Sequence, residues 1–146
     1  MERIVKAEDC LSGGTEMGAL MRSHDWSQTL LGKVADWPPP LRIAVSICLN
    51  SRFPMVIWWG KDLVLLYNDA WRPVLGTTKH PQALGKPGRE IWSEIWDIIG
   101  AQLKSVLTTR QATWSDDMLL MVERHGYKEE AYFTYSYSPI LLESSR

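Results

Sequence analysis

The sequence predicts an α+β fold in which two antiparallel hairpins are separated and preceded by amphipathic helices. Three observations carry this prediction. A helical apolar period precedes a first pair of strand-like runs, a second helical period separates that pair from a later one, and Gly-containing turns join the runs of each pair. This order differs from the strand–helix–strand alternation of a parallel sheet. The 146 residues, 45% of them hydrophobic, fit one globular domain.

The first long helix is predicted over residues 39–50. Its apolar residues recur at i, i+3, i+4, i+7 and i+8, the spacing of one helix face. They are Leu41, Ala44, Val45, Cys48 and Leu49. Prolines 38–40 suit the first turn, where a missing N–H costs nothing. We therefore expect this face to pack on protein. A shorter helix, capped by Thr15 and carrying Met17, is expected before it.

Residues 53–59 and 63–67 form the first predicted hairpin, joined by a turn at residues 60–62. Both runs are apolar on both faces, which is typical of a sheet covered on both sides. Asn68 or Asp69 is predicted to cap a short helix over residues 70–75 that ends at Gly76. The longest helix is predicted over residues 91–107.

The second hairpin is predicted to turn at the two residues His125 and Gly126. This register places Leu120 opposite Ala131 and Met118 opposite Phe133. The face expected to meet the core contains Met118, Leu120, Val122, Ala131, Phe133, Tyr135 and Tyr137. The opposite face is mixed in character and is expected to meet solvent or a partner.

Composition excludes several classes of function. The net charge of -1 offers no basic excess for nucleic acid. The longest stretch without a charged residue, 131–142, is shorter than the about 20 apolar residues of a membrane span, so we expect no membrane insertion. Acidic residues near the start argue against a signal peptide, and a cytoplasmic location is expected. The spacing of His24, His80 and His125 predicts no metal site.

The sequence contains no catalytic constellation that we can identify. Asp116 and Asp117 are neighbours in a strand and point to opposite faces. Glu94 and Asp97 lie on a polar helix face without a nearby histidine. A nucleophile elbow, a phosphate-binding Gly-rich loop and a zinc-protease motif are all absent from the sequence. We therefore expect no catalytic residues, and we expect Cys48 to be a buried thiol.

Three segments resemble a PAS domain. FPMVIWWGKDLVLLYNDAWRPVLG is similar to the first hairpin and following helix of the family, with Asn68 where the family's Asn commonly ends the second strand. ALGKPGREIWSEIW resembles the linker into the connecting helix, and TWSDDMLLMVERHGYKEEAYFTYSYSPI resembles the later hairpin. The segment before them, residues 25–54, looks like an extension found in bacterial multidomain sensor histidine kinases.

The resemblance implies a domain organisation and a function. It divides the chain into an N-terminal lead (1–14), a helical extension (15–52), a PAS-like core (53–140) and a tail (141–146). It implies a sensory input module of a two-component histidine kinase, which binds a small ligand or partner and relays a conformational change to a kinase or other effector domain. The alternative is a stand-alone protein-interaction or dimerisation module that binds no ligand.

The resemblance also bears on cofactors. Flavin-adduct sensors of this family carry a reactive Cys in the connecting region, and residues 77–92 contain none. Haem-binding members often use a His on the long helix, where this chain has none, and His80 precedes a proline. A non-covalent flavin or another small ligand stays open. The candidate cavity residues are Trp59, Trp96, Ile98, Gln102, Val106, Phe133 and Tyr135, with Gln102 as the polar group that orients a ligand.

One strand of the implied sheet is missing from the sequence. The family's sheet has five strands, and the last lies between the first and the fourth, whereas we count four and residues 140–142 are too few for a fifth. The first and fourth strands would then pair directly, or residues 3–7 would fill the gap, or a second copy would cover the exposed edges. We favour association and expect a homodimer.

Overall fold

The fold is α+β, as predicted, and the computed structural model describes residues 7–13 and 15–142. The α-helices of this part are α1 (Glu16–Ser23), α2 (Pro39–Asn50), α3 (Arg72–Lys79), α4 (Gly88–Ile91) and α5 (Trp96–Thr109). The strands are β1 (Val56–Trp59), β2 (Val64–Tyr67), β3 (Thr113–Val122) and β4 (Glu129–Tyr137). Short 3₁₀ helices cover Ala7–Leu11, Trp26–Gln28, Val34–Asp36, Asp69–Trp71 and Ser93–Ile95.

The strands form two separate antiparallel hairpins within the described residues, β1 with β2 and β3 with β4. Direct pairing of the first and fourth strands therefore does not occur there. Residues 3–6, the other internal candidate to fill the gap, lie outside the described residues. The two hairpins are held together by helices and by side chains, not by one continuous hydrogen-bonded sheet.

Helix α2 has the predicted bounds and the predicted buried face. Leu41, Val45, Cys48 and Leu49 are all buried on it, and the helix packs against β1 and β2. The Cys48 thiol is buried as expected, and burial raises its pKa to about 12. The opposite face is open, with Ile43 62% exposed.

Helix α1 is present, but its predicted cap is wrong. The Thr15 side chain makes no capping hydrogen bond. Instead the Asp69 carboxylate accepts the backbone N–H groups of Thr15 and Met17, at 3.1 and 3.0 Å. Burial alone would raise the pKa of Asp69, but these two donors, together with the Thr15 hydroxyl and the positive charge of Arg72, hold the pKa below its ordinary value. A residue far along the chain thus fixes α1 to the core, where Met17 and Met21 are fully buried.

The first hairpin is shorter than predicted. Phe53 lies outside β1 and is 80% exposed, whereas all four residues of β2 are buried. The outer edge of β2 is bonded to residues 85–88: Gly85 donates to the Leu65 carbonyl at 2.9 Å, and Leu65 donates to the Lys86 carbonyl at 3.0 Å. Strand β2 therefore has backbone partners on both edges, while β1 is paired only with β2 in the described part.

Two predicted helices have different bounds because the chain bends inside them. Gly76 does not end the helix; it forms a kink inside α3 with a φ of 70°. A Cβ there would lie 2.3 Å from the Arg124 carbonyl oxygen, so the close approach also requires glycine. The predicted helix over residues 91–107 is broken at Trp92, whose ψ of 35° ends α4. The apolar period continues across this break and so does not reveal it.

The predicted register of the second hairpin is confirmed from Met118 to Val122 but not before the bulge, and the predicted two-residue turn is wrong. Leu120 pairs with Ala131 and Met118 with Phe133. The connection, however, runs over residues 123–128. It does not form a tight turn, because the Arg124 side chain bonds to neighbouring elements. Its guanidinium bonds Glu129 at 2.6 Å and the Pro73 carbonyl at 3.2 Å.

A β-bulge between Ser115 and Met118 shifts the pairing of β3 by one residue. Asp117 adopts a left-handed conformation there, with a φ of 47°, which Asp tolerates better than most residues. Its N–H donates to the Thr134 hydroxyl at 3.1 Å. Asp116 and Asp117 therefore form the bulge and not a regular strand.

Across the described ranges, no helix has the length and apolar character needed to span a membrane.

Candidate functional site: an aromatic cleft between two strand edges

A cleft of about 800 Å³ lies between α5, β1 and β4. Helix α2 contributes Ala44 and Ile47 to one rim. The residues that α5, β3 and β4 and the turn before α5 contribute include Ile95, Ile99, Leu103, Val106, Leu120, Val122, Phe133, Tyr135 and Tyr137. The buried face of α5 thus forms the floor, and the two hairpins form the walls.

Two strand edges face this cleft. The lining contains residues 56–58 of β1 and residues 133–137 of β4. Within the described part of the chain, β1 pairs only with β2 and β4 only with β3, so each has one edge without a strand partner. An edge strand presents a row of backbone N–H and C=O groups. The cleft therefore has polar backbone groups along two walls and apolar side chains between them.

Five aromatic side chains form a continuous wall in the cleft. The ring centroids of Trp92 and Trp71 are 6.2 Å apart, and those of Trp71 and Trp58 are 6.3 Å apart. Trp58 lies 6.2 Å from Tyr137, which lies 5.0 Å from Tyr135. Most of these pairs meet edge to face, which is the favourable geometry for aromatic rings. The arrangement offers both ring faces and ring edges to a planar ligand.

Gly88 makes room for this wall. A Cβ at this position would lie 2.6 Å from Cζ3 of Trp58 and 3.0 Å from Cη2 of Trp96. Only a residue without a side chain allows both indole rings to approach the start of α4 so closely.

The polar groups of the cleft are few and uncharged. Among the residues that the structure describes, no Asp, Glu, Lys, Arg or His lines it. Burial raises the pKa of Tyr137 far above its ordinary value, so its phenol stays protonated and is able to donate. The indole nitrogens of Trp58 and Trp92 are buried and have no hydrogen-bond acceptor among the described residues. In the same residues no group of three or more His, Cys, Asp or Glu side chains is placed to hold a metal ion.

Three of the seven predicted cavity residues line the cleft, namely Val106, Phe133 and Tyr135. Gln102 lies outside the lining and holds Tyr135 in place, because its Oε1 accepts the Tyr135 hydroxyl at 2.7 Å. Whether any of the seven contacts a ligand stays a prediction.

The other three predicted residues lie outside the lining of this cleft. Trp59 lines a separate pocket of about 200 Å³. Trp96 packs behind Trp58 at 6.2 Å, and Ile98 is half-buried beside the core. Ile98 and Gln102 were predicted to line the cavity on the assumption of one continuous helix. The helix is broken at Trp92, and the buried face of α5 carries Ile99 and Leu103 instead.

Sequence reasoning missed Trp58, Trp71, Trp92 and Tyr137. For two of them the sequence pattern could have indicated the site. Tyr137 belongs to the face of β4 that was predicted to meet the core, and alternation along β1 places Trp58 on the opposite strand face from Trp59. For Trp71 and Trp92 it could not, because both lie at junctions between short helices.

Comparison with family models, with curated proteins and with solved structures finds no match for this chain. The PAS resemblance therefore stays a prediction.

Proposed function

We propose that this chain is the sensory input module of a two-component signalling protein of PAS type, which binds a small molecule and relays a conformational change. The observation that carries the proposal is the aromatic cleft of about 800 Å³. Small-molecule sites range over about 300–1,000 Å³ and are mostly apolar, with a few polar groups that orient the ligand. The cleft has both properties.

A ligand in this cleft acts by shifting an equilibrium between packing states. The cleft separates the two hairpins, so a molecule that touches both β1 and β4 favours one spacing between them. Helix α2 packs on β1, and α5 forms the floor, so a change in spacing reaches two helices. We propose that a kinase or other effector domain responds to this change. We propose no catalytic step, because the lining, as far as the structure describes it, contains no acid, base or thiol side chain apart from the half-buried Tyr135 and Tyr137.

The first test is to look for a bound molecule. We expect mass spectrometry of the denatured protein, or absorbance of the native protein, to reveal a co-purified small molecule. Otherwise we expect a thermal-shift screen of flavins and apolar metabolites to find a ligand. A ligand present at 100 times its Kd stabilises the folded state by about 2.7 kcal/mol. A flat screen with no co-purified molecule would contradict the sensory role.

A matched pair of variants tests whether that ligand binds in the cleft. Ala44 lines the cleft, whereas its neighbour Ile43 is exposed and does not. We expect Ala44→Trp to fill the cleft and remove the ligand-induced thermal shift, and Ile43→Trp to keep it. A shift that survives in Ala44→Trp means that the ligand binds elsewhere.

A second candidate function is a protein-interaction or dimerisation module. Two strand edges without a partner in the described residues favour it, since such edges readily pair with another chain. The outer face of the second hairpin adds exposed aromatic area at Trp114 and Tyr132. We infer a homodimer and expect light scattering to give twice the monomer mass over a dilution series. A monomer at every concentration would contradict this inference.

A further inference from the structure

Two tryptophans on the cleft wall, Trp58 and Trp92, differ from Trp26 and Trp37 in the hydrogen bonding of their indole N–H groups. Trp26 donates its indole N–H to the Met21 carbonyl at 2.9 Å, and Trp37 donates to the Gly32 carbonyl at 2.8 Å. Trp92 is equally buried, at 2% exposure, yet its Nε1 and that of Trp58 have no acceptor among the described residues. The unsatisfied donors therefore coincide with the cleft.

Buried N–H groups without an acceptor are rare in native proteins, and each calls for an explanation such as a bound molecule. Water is a poor explanation here, because a buried water needs two to four polar partners and the side chains around the rings are mostly apolar. The Tyr137 phenol is a third donor on the same wall. A ligand that complements this wall supplies acceptors.

The charge of the ligand follows from the same lining. In the described part of the chain, no charged residue belongs to the lining of the cleft. Two cations lie against rings of the lining: Lys79 Nζ is 5.0 Å from the centroid of Trp92, and Arg124 Cζ is 5.5 Å from that of Phe133. Both charges are already matched, because Lys79 Nζ is 3.1 Å from the Glu94 carboxylate and Arg124 Nε is 2.6 Å from that of Glu129. An anionic ligand would lose its hydration without gaining a counter-charge.

We propose that the ligand of the cleft is an uncharged, largely apolar molecule with a hydrogen-bond-accepting oxygen, such as an aryl ketone or a quinone. This inference rests on the proposed function, because it names the class of molecule that the cleft binds. The ligand oxygen accepts from the indole N–H of Trp92, of Trp58 or of both, while its rings pack on the aromatic wall.

Binding requires the wall to move. Both indole nitrogens are shielded from water by neighbouring side chains, so a ligand oxygen reaches them only when those side chains shift. Trp58 is in ring contact with Trp71, Trp96 and Tyr137, so its movement repacks both strand walls. Acceptor recognition and the relayed change thus use the same side chain.

Three probes of the same shape test the inference: 9-fluorenone, fluorene, which has CH₂ in place of the carbonyl, and 9-fluorenone-4-carboxylate. The full chain, ¹⁵N-labelled, is titrated with each and followed by NMR at its eight indole N–H signals. Trp58→Phe and Trp92→Phe assign two of these signals. We expect fluorenone to bind at least tenfold more tightly than fluorene and to shift both assigned signals. We expect the carboxylate to bind at least tenfold more weakly than fluorenone.

Variants separate the hydrogen bond from packing. Trp92→Phe keeps an aromatic ring and removes the N–H, so we expect it to weaken fluorenone binding and to leave fluorene binding nearly unchanged. Trp114→Phe, on the exposed outer face of β3, is the control and is expected to change neither. If Trp92→Phe does not fold, the probe comparison on the unmodified chain still decides, and Trp58→Phe replaces it.

The outcomes separate the inference from the proposed function. Equal affinities for fluorenone and fluorene, with shifts at the cleft tryptophans, overturn the acceptor inference and leave a ligand-binding cleft. Tighter binding of the carboxylate overturns the expected neutrality. Failure of all three probes to bind overturns the inference, while the proposed function is judged by co-purification and the thermal-shift screen.

Discussion

Val45→Asp is expected to destabilise the protein by about 3–5 kcal/mol, because it leaves an unpaired carboxylate in the core. Val45 is fully buried at the middle of α2, on the face that packs against β1 and β2. The introduced carboxylate either loses its hydration or takes up a proton and still loses the packing of two methyl groups. Urea denaturation at neutral pH, followed by tryptophan fluorescence, measures the change.

The control for this variant lies two residues away on the same helix. Ile43 is 62% exposed, so Ile43→Asp changes the same helix without burying a charge. We expect a change of about 0.5 kcal/mol or less, as for most surface substitutions. If Val45→Asp unfolds at the same urea concentration as the parent, α2 is not part of the core.

The accuracy of the prediction for α2 has a physical reason. Its bounds depend on local features, namely prolines at the first turn and a complete apolar stripe. The register of the second hairpin was also predictable, because a shift of one residue would move Leu120 and Phe133 to the solvent face. An element can be predicted from the sequence when only one arrangement of it buries all of its apolar residues.

The errors in the fold arise where distant residues decide the local structure. Asp69 caps α1 from across the chain, and Arg124 holds the loop of the second hairpin open by bonding to Glu129 and to the α3 segment. Neither contact leaves a local pattern. The break at Trp92 is hidden for a related reason, since a large buried side chain satisfies the helical period on both sides of it.

The cleft was only partly predictable for the same reasons. Strand alternation placed Phe133 and Tyr135 on the inner face of β4, where the cleft lies. Ile98 and Gln102 were selected by assuming one continuous helix, and the break changes which side of α5 is buried. Trp71 and Trp92 form the wall only because three short elements meet there, which requires the folded chain.

The second large effect is expected at Asn68, whose side chain joins the end of α2 to β1. Asn68 is buried, and its amide serves five backbone groups. Its nitrogen lies within 3.3 Å of the carbonyl oxygens of Cys48, Ser51 and Phe53, and its oxygen accepts from the N–H groups of Met55 and Trp71. One side chain therefore satisfies three backbone groups of the loop that leads into the cleft wall, and it ties this loop to the end of α2.

Asn68→Asp preserves the shape of the side chain and removes its two donor hydrogens. We expect it to destabilise the protein by about 3–5 kcal/mol at neutral pH, because a carboxylate then faces three carbonyl oxygens and leaves them without a donor. This environment raises the folded-state pKa of the introduced carboxyl above its unfolded value. The loss of stability is therefore largest above the raised pKa and shrinks as the pH falls through it, because the protonated acid is able to donate again.

Asn50→Asp is the matched control for this change. Asn50 ends α2 and is exposed, and its amide nitrogen donates to the Ser46 carbonyl at 2.8 Å. The same substitution there removes one exposed hydrogen bond and adds a negative charge at a helix C-terminus, which costs about 0.3–1 kcal/mol. Denaturation curves at pH 5 and pH 8 separate the two variants, since only Asn68→Asp is expected to recover stability markedly at the lower pH. If both variants lose the same small amount at pH 8, the Asn68 amide does not hold this loop, and β1 owes its position to the packing of α2 alone.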